Sequence, residues 1–415
     1  MGLSMSGPNV EWLDGLNVRG IKPGLESITT LLGALDDPQK GLRTIHVAGS
    51  DGKGSVCCML ESILIAAGYR VGMFTSPHIL KVNECIRIDG DEITDDLLED
   101  CLSKVKRASE GSGCQCTNFE ALTACALTAF REEEVDIAIV EVGMGGRLDC
   151  TNLVEPEVTV INNISMEHTR YLGSTLEEIA SEKAGIMKPG IPCVTINTGR
   201  ALDVITEHSE RLGCSLRVID PEEVEVLENA SDHIMIRYCE SNYRVGLPGR
   251  FQGRNAALAI EAVRSLKDSN RIMHFVPIGL DCASWPARMQ KLEGLPIILD
   301  VTHTKKGAEC LRDDIEQIYG RVILVSAMLS DKDLDGVAEL LSPIASKIYV
   351  SSPNSPRAAD KDYLGSIYRR HHGDVTVCPT VGDAVEQAIN DGGTILVTGS
   401  FRTAEDCLRW LERTK

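Results

Sequence analysis

The sequence predicts an α/β protein of two domains, the first built on a mainly parallel sheet around a phosphate-binding loop (P-loop). Three observations carry that fold class. Thr44 to Leu60, TIHVAGSDGKGSVCCML, reads as a short buried strand, a glycine-rich loop and the start of a helix. A second strand, YRVGMFTSP, follows within about 30 residues and completes a βαβ unit, whose hand should be right. From Ile297 onward, strands and helices alternate to the end of the chain, which is the pattern of a second, smaller α/β domain. A chain of 415 residues also exceeds one ordinary core.

Taken in order, IKPGLESITTLLGAL gives an amphipathic helix started by Pro23. In the loop that follows the first strand, Gly49, Gly52 and Gly54 punctuate a tight turn with Ser50 and Asp51 inside it. Glycines let backbone amides approach phosphate oxygens, and a helix N-terminus favours negative charge. Lys53 can then reach the β- and γ-phosphates of a nucleotide, and the Ser55 hydroxyl can ligate Mg²⁺. The spacing is tighter than the standard G-x4-G-K-[ST] loop, so an ordinary strand-to-helix turn stays open at this point. The helix over 55–67 ends at Gly68, and Thr75-Ser76-Pro77-His78 falls at the carboxyl end of the second strand, where ligands bind open sheets or where a plain turn sits.

Residues 93–110 read as a polar helical connection, and TNFEALTACALTAF as a helix packed on the sheet, with Glu120 and Thr123 solvated or hydrogen-bonded. In VDIAIVEVGMGGRLDCTNLV the apolar run 137–142 is interrupted by Glu141. A buried carboxylate needs a cation, whether metal, Lys or Arg. Gly143, Gly145 and Gly146 again suggest close backbone approach to a ligand. VTVINNISMEHT is a further strand with Glu167 and His168 beyond it; a lone His is more often a satisfied surface or core residue, but after a parallel strand it can converge with Glu141 on the loop. STLEEIASEKAGIMKPG is a helix with Ser174 as N-cap and Lys-Pro-Gly as stop, and Lys183 read alone sits on its solvated face. Residues 192–246 alternate short strands and charged turns. LPGRFQGRNAALAIEAVRSL opens a helix with Gln252 and Asn255 near its start. The expected boundaries are a first domain over 1–282, a linker over 283–296 containing SWPARMQKLEGLP, and a second domain over 297–415. Within the last, strands are expected at 297–300, 321–326, 346–350, 374–377 and 393–398, and helices at 306–318, 333–341, 360–370, 382–390 and 403–413.

Composition narrows the class further. Hydrophobic residues make up 43% and charged residues 25%, as in globular proteins. No run reaches the roughly 18 apolar residues of a membrane span. The stretch MGLSMSGPNVEWLDGL lacks the basic flank and apolar centre of a signal peptide, so a cytoplasmic protein without membrane contact is expected. A formal charge of −19 argues against a nucleic-acid surface, though a locally positive pocket can still take anionic small molecules. The fifteen cysteines include no C-x-x-C pair, so packing rather than metal or redox chemistry is their expected role.

Five stretches, HVAGSDGKGS, EVGMGGRLDCTN, EHTRYLGSTLEEIASEKAGIMKPG, WPARMQ and LVTGSF, together resemble the folylpolyglutamate synthase and dihydrofolate synthase family of the Mur ligase superfamily. The resemblance runs from about residue 21 to residue 398. It implies an N-terminal ATPase domain, a C-terminal Rossmann-like domain and an active site in the cleft between them. It also implies roles. Lys53 with Gly49, Ser50, Asp51, Gly52, Gly54 and Ser55 would hold the ATP phosphates, with Gln252, Asn255, Arg288, Asp300 and His303 also on the nucleotide side. Ser55, Ser76, Glu141 and His168 look like magnesium-site residues, and Lys183 matches a lysine that the family carboxylates, which would turn a cation into a metal-binding anion. Lys53, Glu141, His168 and Lys183 would be the catalytic group, and Asp149 matches a position associated with the pterin substrate.

The implied reaction uses ATP to convert a carboxylate of a reduced folate or dihydropteroate into an acyl phosphate, which glutamate then attacks. Mg²⁺, and in some members a monovalent cation, would assist, and a monomer is expected. Several positions depart from the family pattern: Glu167 for Asp before His168, Cys85 for Arg, Phe251 for His, and Asp300-Val301-Thr302-His303-Thr304-Lys305 for D-G-A-H-N-P. The last leaves two other readings beside the first: a ligase with another acceptor or amine, and a nucleotide-binding regulator that no longer ligates.

Overall fold

The computed structural model describes residues 7–414; residues 1–6, the start of the stretch read as lacking a signal peptide, and Lys415 lie outside the described residues. The chain forms two compact units. The first comprises the described residues up to Val224 together with Arg254–Cys282, and the second Glu225–Gly253 together with Ala283 onward.

The first unit is built on eight strands: β1 (Thr44–Ala48), β2 (Val71–Phe74), β3 (Ile86–Ile88), β4 (Asp91–Glu92), β5 (Ile137–Glu141), β6 (Val158–Ile161), β7 (Cys193–Thr195) and β8 (Leu216–Val218). Their order is β4-β3-β2-β5-β1-β6-β7-β8, parallel from β2 to β8 with an antiparallel edge at β3 and β4. Every residue of β1 and β5 is buried, as expected for central parallel strands covered on both faces. Because β1 lies between β5 and β6, Val47 pairs with Glu141 and Ala48 with Ile161. Three loops distant in sequence therefore leave the sheet side by side.

Several local expectations are corrected. The first amphipathic helix is Glu26–Gly33, not one starting at Pro23, because Gly24 has a φ of 135° that no helix accommodates. The helix carrying Lys183 runs Leu176–Ala184 and ends at Gly185, before Lys-Pro-Gly. Its cap is Thr175 rather than Ser174: the Thr175 hydroxyl accepts from the Glu178 amide, and the Glu178 carboxylate accepts from the Thr175 amide. Of the two expectations for Glu120, solvated or hydrogen-bonded, the second holds: it is buried in the same kind of box with Thr117. Within 192–246 the helix Gly199–Leu212 was not expected, although Ala201, Val204, Ile205 and Leu212 recur along it at helical spacing.

In the second unit, residues 225–253 carry an antiparallel sheet of β9 (Glu225–Asn229), β10 (Ile234–Tyr238) and β11 (Ser241–Val245). This segment was expected in the first domain. Hydrogen bonds hold it there, because Asn229 Nδ2 donates to Asp314 Oδ1 at 2.9 Å and Arg250 Nε donates to the same oxygen at 3.1 Å, on the helix Lys305–Tyr319. The rest is a six-stranded sheet of β12 (Gln290–Lys291), β13 (Ile297–Leu299), β14 (Val322–Ser326), β15 (Ala345–Val350), β16 (Val375–Val377) and β17 (Ile395–Thr398), in the order β12-β13-β17-β14-β15-β16. All but β12 run parallel. Residues 283–296 are thus no free linker, since β12 pairs with β13. The helices Lys305–Tyr319, Leu334–Leu341, Lys361–His371, Val381–Asp391 and Phe401–Thr414 lie close to where periodicity places them. No helix among the described residues is long and apolar enough to cross a membrane.

Candidate active site

The phosphate loop rests on a pair of buried amides. Gly52 caps the helix Lys53–Ala66 with φ 79°, and no side-chain hydrogen bond caps that end. A Cβ at Gly52 would lie 2.6 Å from Asn255 Oδ1 and 2.7 Å from Asn162 Nδ2. Those two side chains bond each other at 2.9 Å. The segment after β6 holds the rest of the loop. The Ser50 amide donates to Asn163 O at 2.8 Å, the Asp51 amide to Asn163 Oδ1 at 3.2 Å, and the Ser165 amide to Ser50 Oγ at 3.0 Å. Sequence reasoning did not single out Asn162, Asn163 or Ser165; the paired asparagines directly after an apolar strand were the available signal. The result is a helix N-terminus whose first-turn amides have no intrahelical acceptor, the ordinary form of an anion site.

The cation that Glu141 requires is Lys53, 4.0 Å from Glu141 Oε1. Glu141 Oε2 also accepts from the Ser76 amide at 3.1 Å, and Lys53 Nζ donates to Ser50 O at 3.2 Å. Ser55 is buried in the first turn of the helix and Ser76 is half-buried. Lys183 is not on a solvated face: its side chain is 2% exposed and donates to Gly49 O at 2.9 Å and to Glu167 Oε1 at 2.7 Å. Burial pushes the Lys183 ammonium pKa down, against the attraction of Glu167. Burial opposes ionisation of Glu167 too, yet the Lys183 and Lys53 ammonium groups hold its carboxyl at about 2. The acid that departs from the family pattern is thus the one that meets Lys183. His168 adopts φ 45° at the start of the short helix Thr169–Leu172, with its side chain 45% exposed and Nε2 3.9 Å from Glu167.

Asp149 turns inward. Its Oδ1 accepts from the Thr151 amide and hydroxyl, and its Oδ2 from the Met144 amide at 2.9 Å, so the carboxylate fastens the glycine loop that follows Glu141.

The donor set bears on a metal. Among the described residues no three His, Cys, Asp or Glu side chains gather as a metal cluster. What this loop region offers is one buried carboxylate, Glu141, the hydroxyls of Ser55 and Ser76, and the imidazole of His168. Few protein ligands, mostly oxygen, fit a hard cation that takes its remaining ligands from phosphate and water, as Mg²⁺ does.

In the second unit Asp300 follows β13 and is buried; it accepts from the Met289 amide at 3.0 Å and the Thr302 amide at 2.7 Å. This places the segment carrying Arg288 beside Asp300. Arg288 Nε is buried with no hydrogen-bond partner among the described residues, and its guanidinium lies 5.7 Å from the Phe401 ring centroid. An orphaned cationic donor of this kind suits an anion. His303 is half-buried, with Nδ1 2.9 Å from Val301 O. Thr304 caps the helix Lys305–Tyr319 by accepting from the Gly307 amide at 3.0 Å, so the missing Asn-Pro is replaced by another good N-cap. Gln252 and Asn255 lie one turn apart on the helix Phe251–Arg264.

Known proteins resemble this chain over nearly its whole length. Residues 47–263 match the Mur ligase middle domain and residues 287–401 the Mur ligase, glutamate ligase domain. The chain is 38% identical over 367 residues to the dihydrofolate synthase/folylpolyglutamate synthase of Bacillus subtilis, covering 84% of this chain and 85% of that protein. Among solved structures it resembles Escherichia coli FolC in complex with DHPP and ADP, with a TM-score of 0.86, 29% identity and 99% of both chains covered. It also resembles a bifunctional folylpolyglutamate synthase/dihydrofolate synthase with Mn, AMPPNP and L-glutamate bound, with a TM-score of 0.83, 31% identity and 98% of both chains covered. The chain therefore belongs to the dihydrofolate synthase/folylpolyglutamate synthase family of Mur ligases.

Proposed function

We propose that this chain couples glutamate to the carboxylate of a reduced folate or of dihydropteroate, with Lys53, Glu141, His168 and Lys183 as its central groups. ATP-dependent glutamate ligation is the activity of its family, and ATP is the nucleotide. The observation that carries the site assignment is the uncapped helix N-terminus at Gly52 with Lys53 held beside it by Ser50 O and Glu141. The DHPP, ADP and L-glutamate in the two neighbouring structures support the choice of substrates.

A free carboxylate is a poor electrophile, so ATP first transfers its γ-phosphoryl group to the acceptor carboxylate, giving an acyl phosphate and ADP. The glutamate amine then attacks the acyl carbon, inorganic phosphate leaves, and the amine proton passes to solvent or a nearby base. Lys53 and the first-turn amides neutralise charge on the phosphoryl group as it moves. Glu141 holds the Lys53 ammonium beside the loop. Ser55, Ser76, Glu141 and His168 would hold Mg²⁺, which when bound supplies further neutralisation of the phosphate oxygens. We read Lys183 as the lysine that its family carboxylates: burial favours the neutral amine, whose nitrogen can add to CO₂ with loss of a proton. Asp300, His303, Arg288, Gln252 and Asn255 are proposed to contribute to the nucleotide side, and Asp149 to serve the pterin side through the loop it fastens. The test is ADP release and mass detection of the amide product with ATP, glutamate and either dihydropteroate or tetrahydrofolate. Product that requires all three substrates is expected; ADP release that ignores acceptor and amine would remove the ligase assignment.

A further inference from the structure

His46 sits in the middle of β1, fully buried, paired with Val140 on one side and Thr159 on the other. Its Nε2 lies 2.9 Å from Thr151 Oγ1, which in turn lies 2.5 Å from Asp149 Oδ1. None of the three residues is more than 7% exposed. The proton positions follow from counting donors. Asp149 already accepts from the amides of Thr151 and Met144, so its oxygens act as acceptors and take the single Thr151 hydroxyl proton. Thr151 Oγ1 must then accept from His46, which fixes the imidazole as the neutral Nε2–H tautomer. Burial, and the Lys188 ammonium second, pull the imidazole pKa down to about 3, in keeping with a neutral ring. Nδ1 meets no hydrogen-bond partner among the described residues, so the bond to Thr151 is the polar contact that orients the ring.

What this chain of bonds holds is the loop between two candidate site groups. Gly143 to Gly146 starts directly after Glu141, and Asp149 pins it at the Met144 amide. At its far end the loop lies against the helix that carries Lys183. The Arg147 amide donates to Glu182 O at 2.8 Å, and a Cβ at Gly146 would lie 2.7 Å from that oxygen and 3.0 Å from Lys183 O. A shift of Asp149 therefore moves the loop against both Glu141 and Lys183.

We propose that His46 is a positioning residue for the ligase reaction, acting through Thr151 and Asp149 to fix the loop that spans Glu141 and the Lys183 helix. The kinetic part rests on the ligase reading above, whereas the protonation part does not.

Two measurements test it. In the full-length wild-type protein labelled with ¹⁵N-histidine, ring-nitrogen spectra should show His46, assigned through its loss in His46→Gln, with Nε2 protonated and Nδ1 bare. That signature should not titrate between about pH 5 and 9. In kinetics, Thr151→Val should lower kcat about tenfold while the ATP KM stays within about twofold, because a charge-assisted hydrogen bond is lost away from the nucleotide. Thr151→Ser should stay near wild type, His46→Leu should fall as Thr151→Val does, and His46→Gln, which carries an amide donor near the place of Nε2–H, should recover most of the rate. The double variant His46→Leu/Thr151→Val should be no slower than either single one, since both break one chain. An Nδ1–H or charged His46, a wild-type kcat for Thr151→Val, or multiplying losses in the double variant would each overturn the proposal. If the substituted proteins do not fold, the wild-type spectrum still decides, with His46 assigned there by its through-space contact to Thr151. If the ligase reading is at fault, the wild type itself forms no product while the tautomer is as described.

Discussion

Gly52→Ala is a direct probe of how the phosphate loop is seated. The residue holds φ 79°, and a side chain with a Cβ loses about 1–2 kcal/mol in that left-handed conformation. The new methyl would also stand 2.6 Å from Asn255 Oδ1 and 2.7 Å from Asn162 Nδ2. Neither amide can swing aside freely, because they bond each other at 2.9 Å and Asn162 Oδ1 also accepts from the Asn163 amide at 2.7 Å. Overpacking of this kind costs about 1–3 kcal/mol. The two effects add to about 2–5 kcal/mol of destabilisation. Part of the strain can instead be relieved by shifting the loop, which would raise the ATP KM about tenfold or more. Gly111→Ala serves as the opposite control: it lies in the helix Asp95–Ser112 with nothing within 4 Å of the added Cβ, so about 0.5–1 kcal/mol of stabilisation is expected. Urea unfolding followed by tryptophan fluorescence, with ATP titrations of initial rate, reads both quantities. A Gly52→Ala protein with wild-type stability and wild-type ATP KM would refute the account of the loop.

Other consequences are as definite. Lys53→Ala should reduce ADP release to background with the circular dichroism spectrum unchanged, because it removes the ammonium that Ser50 O and Glu141 hold beside the loop. Lys183→Ala should lose turnover, with partial recovery by short-chain carboxylic acids and none by bicarbonate; full activity without additives would remove its metal role. Glu61 is pushed by burial, against Arg87, from 4.5 to about 7, so the folded protein retains a proton that the unfolded chain releases first. Wild-type stability should accordingly fall by about 3 kcal/mol through this group as pH rises from about 4.5 through 7. The stability of Glu61→Gln relative to wild type should therefore grow from pH 5 to pH 8 in urea titrations, and a flat difference would contradict the shift. Thr175→Ala breaks the capping box of the Lys183 helix and should cost about 1 kcal/mol by the same measurement.

Local pattern made much of this protein legible. β1, the glycine loop and the following helix were readable because a buried strand, a φ-permissive turn and a helix start are each written in adjacent residues. The alternation after Ile297 placed the parallel strands and the five α-helices of that region for the same reason. The helix Gly199–Leu212 escaped because it lies in a stretch read as short strands and charged turns, although its apolar residues recur at helical spacing, and residues 225–253 join the second compact unit, where hydrogen bonds to Asp314, far along the chain, hold them. Glu141 could be flagged as needing a cation from its place in an apolar run, but the run does not say which cation.

The sequence by itself determined which chemical groups the site would draw upon: glycines and a lysine at a strand-to-helix turn, a carboxylate at the end of a buried strand, and a lysine on an amphipathic helix. Only the tertiary structure decided how they pair. With β1 between β5 and β6, Lys53 meets Glu141, and the Gly49 carbonyl and Glu167 both meet a Lys183 that its own helix would leave in water. Periodicity is a property of neighbours along the chain, whereas burial and charge pairing belong to neighbours in space, and strand order is what converts one into the other.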